Sequence, residues 1–179
     1  MRVVLLGPYP LAEQGVVGGV EAVILCLLKH LARLGDLELH LITCRPGLAS
    51  SFTERRVAPD SVQAGWSVHY LPRQRLGRLT FHLRERRRIV ALLRQLRPDI
   101  VHAHSSGLYA AAVLDSGYPA VITVHGVIFR EAQIAPGWGE RVRGALDSAF
   151  ERRCLRRARR LVAISPYVES CLLYTSDAA

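Results

Sequence analysis

Residues Arg2–Thr43 read RVVLLGPYPLAEQGVVGGVEAVILCLLKHLARLGDLELHLIT, and the order of patterns inside this stretch decides the fold. RVVLLG (Arg2–Gly7) is a short apolar run rich in Val, the pattern of a strand buried on both faces of a parallel sheet, and Gly7-Pro8 stops it. From Val20 to Leu34 apolar residues recur at helical spacing (Val20, Val23, Ile24, Leu27, Leu28, Leu31, Leu34), and Gly35 stands where a helix C-cap is expected. LELHLIT (Leu37–Thr43) alternates and then turns apolar, which predicts a second strand.

The same theme continues downstream. Arg45–Gly65 carries Pro, Gly, Ser and charge without periodicity and reads as a long exposed loop, a candidate for ligand or membrane contact. WSVHYLP (Trp66–Pro72) reads as a third strand. Leu79–Arg97 reads as a basic amphipathic helix, with Leu79, Leu83, Val90, Leu93 and Leu96 on one face and Arg84, Arg87, Arg88 and Arg94 largely off it, closed by Pro98. DIVHAHS (Asp99–Ser105), AVITVHG (Ala120–Gly126) and RLVAIS (Arg160–Ser165) predict three more strands, with helical segments at Leu108–Leu114 and Glu140–Arg157 between them. Strand and helix alternate about six times, so the expected class is α/β: an open, doubly wound parallel sheet, Rossmann-like, with right-handed crossovers. Ligands of such sheets bind outside the carboxyl ends of the strands. The candidate site residues are therefore the Gly15–Gly19 loop, His102–Ser106, His125-Gly126 and Ser165-Pro166.

At 179 residues, half of them hydrophobic, the chain is long enough for one domain with a proper core, or for one large half of a two-domain enzyme. The longest apolar candidate, Val20–Leu34, is interrupted by Glu21, Lys29, His30 and Arg33, and falls short of the roughly 18 to 20 residues a membrane span requires. The start has Arg2 and a brief run but no small-residue cleavage site, so a soluble, cytoplasmic protein is expected. Cys26, Cys44, Cys154 and Cys171 lack metal-site spacing and read as buried free thiols. Lys29 is the single lysine among 24 basic residues, so the net charge of +9 is carried by arginine, a skew that fits GC-rich codon usage better than selection for nucleic acid. The clusters at Arg84–Arg88 and ERRCLRRARR (Glu151–Arg160) lack an aromatic or groove-reading neighbour. They leave open a weak attraction to an anionic membrane surface and argue against nucleic acid as a partner.

The glycine loop GVVGG (Gly15–Gly19) gives neither a dinucleotide fingerprint nor a P-loop. Gly18-Gly19 at a helix N-terminus suits an anion held by free N–H groups, or a tight loop that needs glycine conformations; spacing does not choose between the two. In VHAHSSG (Val101–Gly107) His102 and His104 lie two apart with no carboxylate or cysteine at ligand spacing, so no metal is expected. His102 reads as a packed strand residue, and His104, beyond the strand end, as a hydrogen-bonding partner for a substrate hydroxyl. His125, followed by Gly126, is either a functional imidazole at the sheet edge or a satisfied core histidine.

Taken in order, GGVEAVILCLLKHLARLGDLELHLIT, RPDIVHAHSSG, AVITVHGV and ARRLVAIS resemble the N-terminal half of glycosyltransferase family 4, retaining GT-B enzymes that use nucleotide-sugar donors. The resemblance runs from Arg2 to about Glu169 and is weakest from Pro46 to Gly77. It implies an N-terminal, acceptor-side Rossmann-like domain over residues 1–170. Gly18 and Gly19 would face the diphosphate or sugar of the donor, His125 would contact the transferred sugar as the catalytic residue, and His104, Ser105 and Gly126 would meet the acceptor. Glu21 fits the GGxE pattern and is assigned helix-start electrostatics. No cofactor is implied; the nucleotide sugar is a co-substrate, and the acceptor is a glycan, a lipid-linked sugar or a small molecule.

The family's C-terminal nucleotide-binding domain has no counterpart in this sequence, and CLLYTSDAA (Cys171–Ala179) resembles adapter-derived sequence, so residues 171–179 are set apart as a suspect tail. The expectation is a domain that binds acceptor weakly and does not turn over alone. Two alternatives remain: the matching half of a nucleotide-sugar 2-epimerase, for which no candidate strand end carries a carboxylate, or a non-catalytic Rossmann-like binding module. A nicotinamide enzyme is disfavoured because LITCRPG ends the second strand without the acid that would hold a ribose.

Overall fold

The structure, a computed structural model, describes the backbone of residues 1–12, 15–58, 61–128 and 137–176, and the side chains of all of these except 58–64 and 174–176. The elements follow as β1 (Arg2–Leu6), α1 (Gly19–Ala32), β2 (Glu38–Pro46), β3 (Phe52–Ala58), β4 (Ser61–Arg73), a 3-10 turn (Gly77–Thr80), α2 (Leu83–Leu96), β5 (Ile100–Ala103), α3 (Leu108–Ser116), β6 (Ala120–Val124), α4 (Trp138–Arg157), β7 (Leu161–Ala163) and α5 (Pro166–Ser176). The strands form one sheet in the order β3-β4-β2-β1-β5-β6-β7, parallel throughout except for the antiparallel pair β3–β4. This is the Rossmann-like α/β class the sequence predicts.

Alternation along the strands divides the core in two. Val3 and Leu5 of β1 join Leu39, Leu41, Trp66, Val68 and Tyr70 on the face covered by α1 through Ile24, Leu28 and Ala32. Val4 and Leu6 point the other way, toward Ile89 and Leu93 of α2, Ala110–Val113 of α3, and Phe150 and Cys154 of α4. A chain that leaves β1 for β2 on one side and returns to β5 on the other reverses the strand order between β1 and β5. That reversal opens a crevice at their carboxyl ends. Two backbone bonds fix it: His104 N–H donates to the Leu6 carbonyl at 2.8 Å and Gly7 N–H to the Ile42 carbonyl at 3.2 Å. Gly7 permits this close packing, since a Cβ there would overlap Ile24 Cδ1 and lie 3.3 Å from His104 Cβ.

Two expectations are corrected. Most of the Arg45–Gly65 stretch is strand: β2 runs on to Pro46, and β3 and β4 form an antiparallel edge. An edge strand meets the protein on one side only, so β3 shows Phe52 stacked on Tyr70 at 4.6 Å and an Arg56–Glu54 pair at 2.8 Å in place of an apolar run. The helix expected over Leu79–Arg97 begins at Leu83, because Phe81 and His82 adopt positive φ (47° and 55°) and break the helical phase after the 3-10 turn. Leu79 and Leu83 are consequently exposed, and the buried face carries Glu85, Ile89, Val90 and Leu93. Of the cysteines, Cys44, Cys154 and Cys171 are buried free thiols while Cys26 is exposed. No helix among the described residues is long and apolar enough to cross a membrane. The suspect tail lies partly in α5 and partly outside the described residues.

The hairpin has a sharp steric test. A Cβ on Gly65 would overlap the Arg56 carbonyl oxygen across the β3–β4 pair. Gly65→Ala should lower stability by about 1–3 kcal/mol in urea denaturation and remove hydrogen-exchange protection from β3 before β1 or β2 is affected.

Candidate functional site

A cavity of about 440 Å³ opens at the crevice. Its walls come from the ends of five strands and two neighbouring segments: Pro8 after β1, Arg45 in β2, Arg73 in β4, His104–Tyr109 after β5, His125 and Gly126 after β6, Arg78 and His82 around the 3-10 turn, and Asp147 and Phe150 from α4. The structure thus brings His104, Ser105, His125 and Gly126 into one cavity. Tyr109 braces it from below, accepting the Cys44 N–H at 2.9 Å, and burial pushes its phenol up to about 12.

The histidines form a contiguous group. His102 and His104 project to the same side, with ring centroids 4.1 Å apart. His102 Nε2 and Thr123 Oγ1 are hydrogen-bonded at 2.7 Å, as suits a packed strand residue, while His104 Nδ1 and His125 Nε2 share a bond of 3.1 Å. Burial, with His102 and His125 as neighbours, drops His104 to about 3; burial also lowers His102, again with His125 beside it, and His125. All three are neutral at pH 7. A neutral pair shares one proton along its hydrogen bond, so one ring donates and the other accepts, and each keeps its remaining nitrogen for another partner. His104 Nε2 is buried and has no protein partner. Such imidazoles can orient and polarise a hydroxyl, and they are weak as general acids.

Of the two readings of the glycine loop, the tight loop that needs glycine conformations finds no support at Gly18 and Gly19. Gly18 caps α1 with ordinary extended angles (φ −123°, ψ 153°), and a Cβ on Gly18 or Gly19 would meet nothing within 4 Å. Neither backbone conformation nor packing in this chain asks for glycine at these positions. They stand clear of the cavity wall, which takes Val20 from this region. Glu21 does more than favour the helix start, accepting the Val17 N–H at 3.1 Å and approaching Arg45 at 3.5 Å. Ser105 Oγ accepts the Gly107 N–H at 3.1 Å, which shapes the turn into α3. Ser165 Oγ likewise accepts the Val168 N–H at 3.2 Å, a helix-capping role at the start of α5, and lies outside the cavity.

Sequence reasoning missed the basic wall. Arg45 was visible as the end of its strand, but Arg73, Arg78 and His82 fall where the strand overran its expected end and the helix began late. It also missed the acids of α4: Asp147 lines the cavity and pairs with Arg78 at 3.4 Å, and fully buried Glu151 accepts a hydrogen bond from the Ser106 hydroxyl. Both ride on a helix, away from the strand ends where site residues of such a sheet are legible in sequence. Among the described residues no group of three or more His, Cys, Asp or Glu side chains is disposed to hold a metal ion.

Comparison with known proteins places this geometry. The model of a family described as Glycosyltransferase Family 4 matches residues 17–174. No curated protein sequence matches the chain. Sucrose-phosphate synthase from Thermosynechococcus elongatus superimposes with a TM-score of 0.61 at 15% identity, over 97% of this chain and 44% of that one. A structure described as trehalose-6-phosphate from E. coli bound with UDP-2-fluoro glucose superimposes with a TM-score of 0.57 at 14% identity, over 99% of this chain and 43% of that one. The chain thus spans less than half the length of these two solved structures, and the likeness is one of fold.

The neutral histidines set a pH signature. His104 at about 3 and His69, pushed down to about 4 by burial and by His40, both lie below the usual 6.5. Above pH 6.5 folded and unfolded chains are equally deprotonated at these sites; below it the unfolded chain binds protons that the folded one refuses, so stability falls with pH. The urea midpoint should be highest near neutrality and decline from pH 6.5 to 5, each histidine approaching about 1.4 kcal/mol per pH unit, and decline again toward pH 9, where the unfolded chain ionises the Cys44 and Cys154 thiols that burial pushes up to about 12 and about 11. His104→Gln should flatten that decline.

Proposed function

We propose a function from a plain premise: the chain belongs to glycosyltransferase family 4. It is read as the acceptor-side domain of a retaining glycosyltransferase that moves a sugar from a nucleotide-sugar donor to a hydroxyl of a glycan, lipid-linked sugar or small molecule. A second Rossmann-like domain would carry the nucleotide. The observation that carries the reading is the hydrogen-bonded, neutral His104–His125 pair at the topological switch point, facing a cavity of about 440 Å³.

In this reading His125, the less buried of the two, orients the transferred sugar, and His104 holds its ring. His104, Ser105 and Gly126 form the acceptor wall. Gly18 and Gly19 leave open space at the N-terminus of α1, which supports a close approach by the donor diphosphate, favoured there by free N–H groups and the helix dipole. Retention by front-face attack needs no group on the opposite face of the sugar, and leaving-group charge is met by helix N-termini and basic side chains arranged in advance. The nucleotide-sugar is a co-substrate, and the scheme asks for neither metal nor cofactor. Arg84, Arg87 and Arg88 are exposed on α2 beside exposed Leu79 and Leu83, which supports a weak attraction to an anionic membrane surface at the cytoplasmic side. For the isomerase alternative the cavity offers Asp147, already paired with Arg78.

The test is direct. Incubated with a panel of nucleotide sugars and of lipid, sugar and small-molecule acceptors, the 179-residue chain should show no transfer above a His125→Ala control. Robust transfer would overturn its inactivity alone. In a polypeptide that joins this domain to its downstream coding sequence, transfer should proceed with retention, read by anomeric NMR couplings. There His125→Ala should lower kcat by about 100-fold or more and Gly18→Val should raise the donor KM; an inverted product would overturn the mechanism.

A further inference from the structure

We infer that the acceptor carries a phosphoryl group, held in the same cavity by Arg45, Arg73 and Arg78; the inference rests on the acceptor-side reading above. Three guanidinium groups arrive from three separate elements, the ends of β2 and β4 and the 3-10 turn, and line one cavity. Asp147 lines the same cavity beside Arg78. Arg45 and Arg78 are held only at 3.5 Å by Glu21 and 3.4 Å by Asp147, and Arg73 makes no hydrogen bond or ion pair among the described residues. Elsewhere the same chain pairs arginine fully: Asp115 takes two nitrogens of Arg86 and one of Arg157. The cavity arginines are left with donors to spare, which suits an oxyanion able to accept several planar N–H forks at once.

One buried imidazole on the same wall is also incomplete: His104 Nε2 lacks a hydrogen-bond partner, although the residue is only 3% exposed. His82 belongs to the floor: its backbone N–H donates to the Gly77 carbonyl at 2.6 Å, and its Nδ1 faces the buried Glu85 carboxylate at 3.9 Å. A Cβ on Gly77 would come within 2.7 Å of both the His82 ring and Glu85, so this floor closes only around glycine. Glu85 in turn accepts the Gln74 N–H at 2.9 Å, tying the floor to the residue after Arg73. A phosphate ester fits the array: the phosphoryl oxygens meet the arginines while the sugar or polyol hydroxyls reach His104 and His125.

Calorimetric titration of the chain with glucose 6-phosphate, inorganic phosphate and glucose tests the site without donor or turnover. The phosphorylated probes should bind at least about tenfold more tightly than glucose, and Arg73→Gln, which removes an exposed and unpaired guanidinium, should erase about tenfold of that gain. Arg94→Gln, exposed on α2 and outside the cavity lining, makes the same change in net charge and should leave it intact. A second arm, sedimentation with phosphatidylglycerol against phosphatidylcholine vesicles, separates the sources of phosphate. Binding of phosphatidylglycerol that Arg73→Gln abolishes and Arg94→Gln spares makes the phosphate lipid-borne; a soluble preference with no such vesicle dependence makes it a soluble ester. Equal binding of glucose and its phosphate with no Arg73-dependent vesicle capture overturns the inference, and so does equal loss in both variants. Transfer to neutral acceptors by the longer polypeptide, with no phosphate binding, would leave the glycosyltransferase reading standing and remove this one alone.

Discussion

The close packing of Gly7 against Ile24 and His104 is the constraint on which the rest of the cleft depends. Here the first strand ends, the first helix crosses over it, and the fifth strand runs beside it, all with no room for a methyl group. Because α1 is pressed down by this contact, its N-terminus is carried out to the crevice with its glycines facing open space. Because β5 is pressed in, His104 is drawn out of solvent and against His125. The missing side chain lets both walls approach closely, and a bulkier residue would have to displace the Ile24 side chain and crowd His104.

Charge in the cleft follows from the same packing. Burial strips the histidines of their protons, and arginine, which keeps its charge in almost any surroundings, supplies what positive potential remains. These two classes of group occupy different places. The imidazoles sit at the strand ends, and the guanidiniums lie nearer the 3-10 turn. Ser106 and Glu151 hold α3 to α4 beneath both, so the wall is braced by polar contacts as well as by the apolar cluster around Phe150 and Cys154.

What could be read from the sequence was whatever is buried on both sides. Val3–Leu6, Leu39, Leu41, Ile42, Val101, Ala103, Ile122 and Val124 are apolar because helices or other strands cover them, and the ends of β5 and β6 gave His104, Ser105, His125 and Gly126. Edges escaped the same reading. β3 alternates polar residues around Phe52, Glu54 and Arg56, a pattern indistinguishable from loop when one side of a strand meets water. Phe81 and His82 escaped as well, since nothing in their side chains announces a left-handed backbone. That turn breaks the phase between Leu79 and the helix, and with it the clue that Arg78 and His82 face the crevice while Leu83 faces solvent. Asp147 was invisible for another reason: its place at the cleft follows from how α4 lies across the fold, a tertiary fact with no local signature.

The division between silent imidazoles and permanent guanidiniums has a consequence for how the cleft meets its surroundings. Burial lowers His82, His104 and His125 below the usual histidine range, so these rings contribute no charge that switches on between neutrality and mild alkalinity, and the fixed charge of the cleft is left to arginine. Ionic strength is then the variable that alters its pull: screening shortens the reach of fixed charges from about 10 Å at 0.1 M salt to about 3 Å at 1 M. The electrostatics of this cleft therefore respond to salt more than to small changes of pH around neutrality.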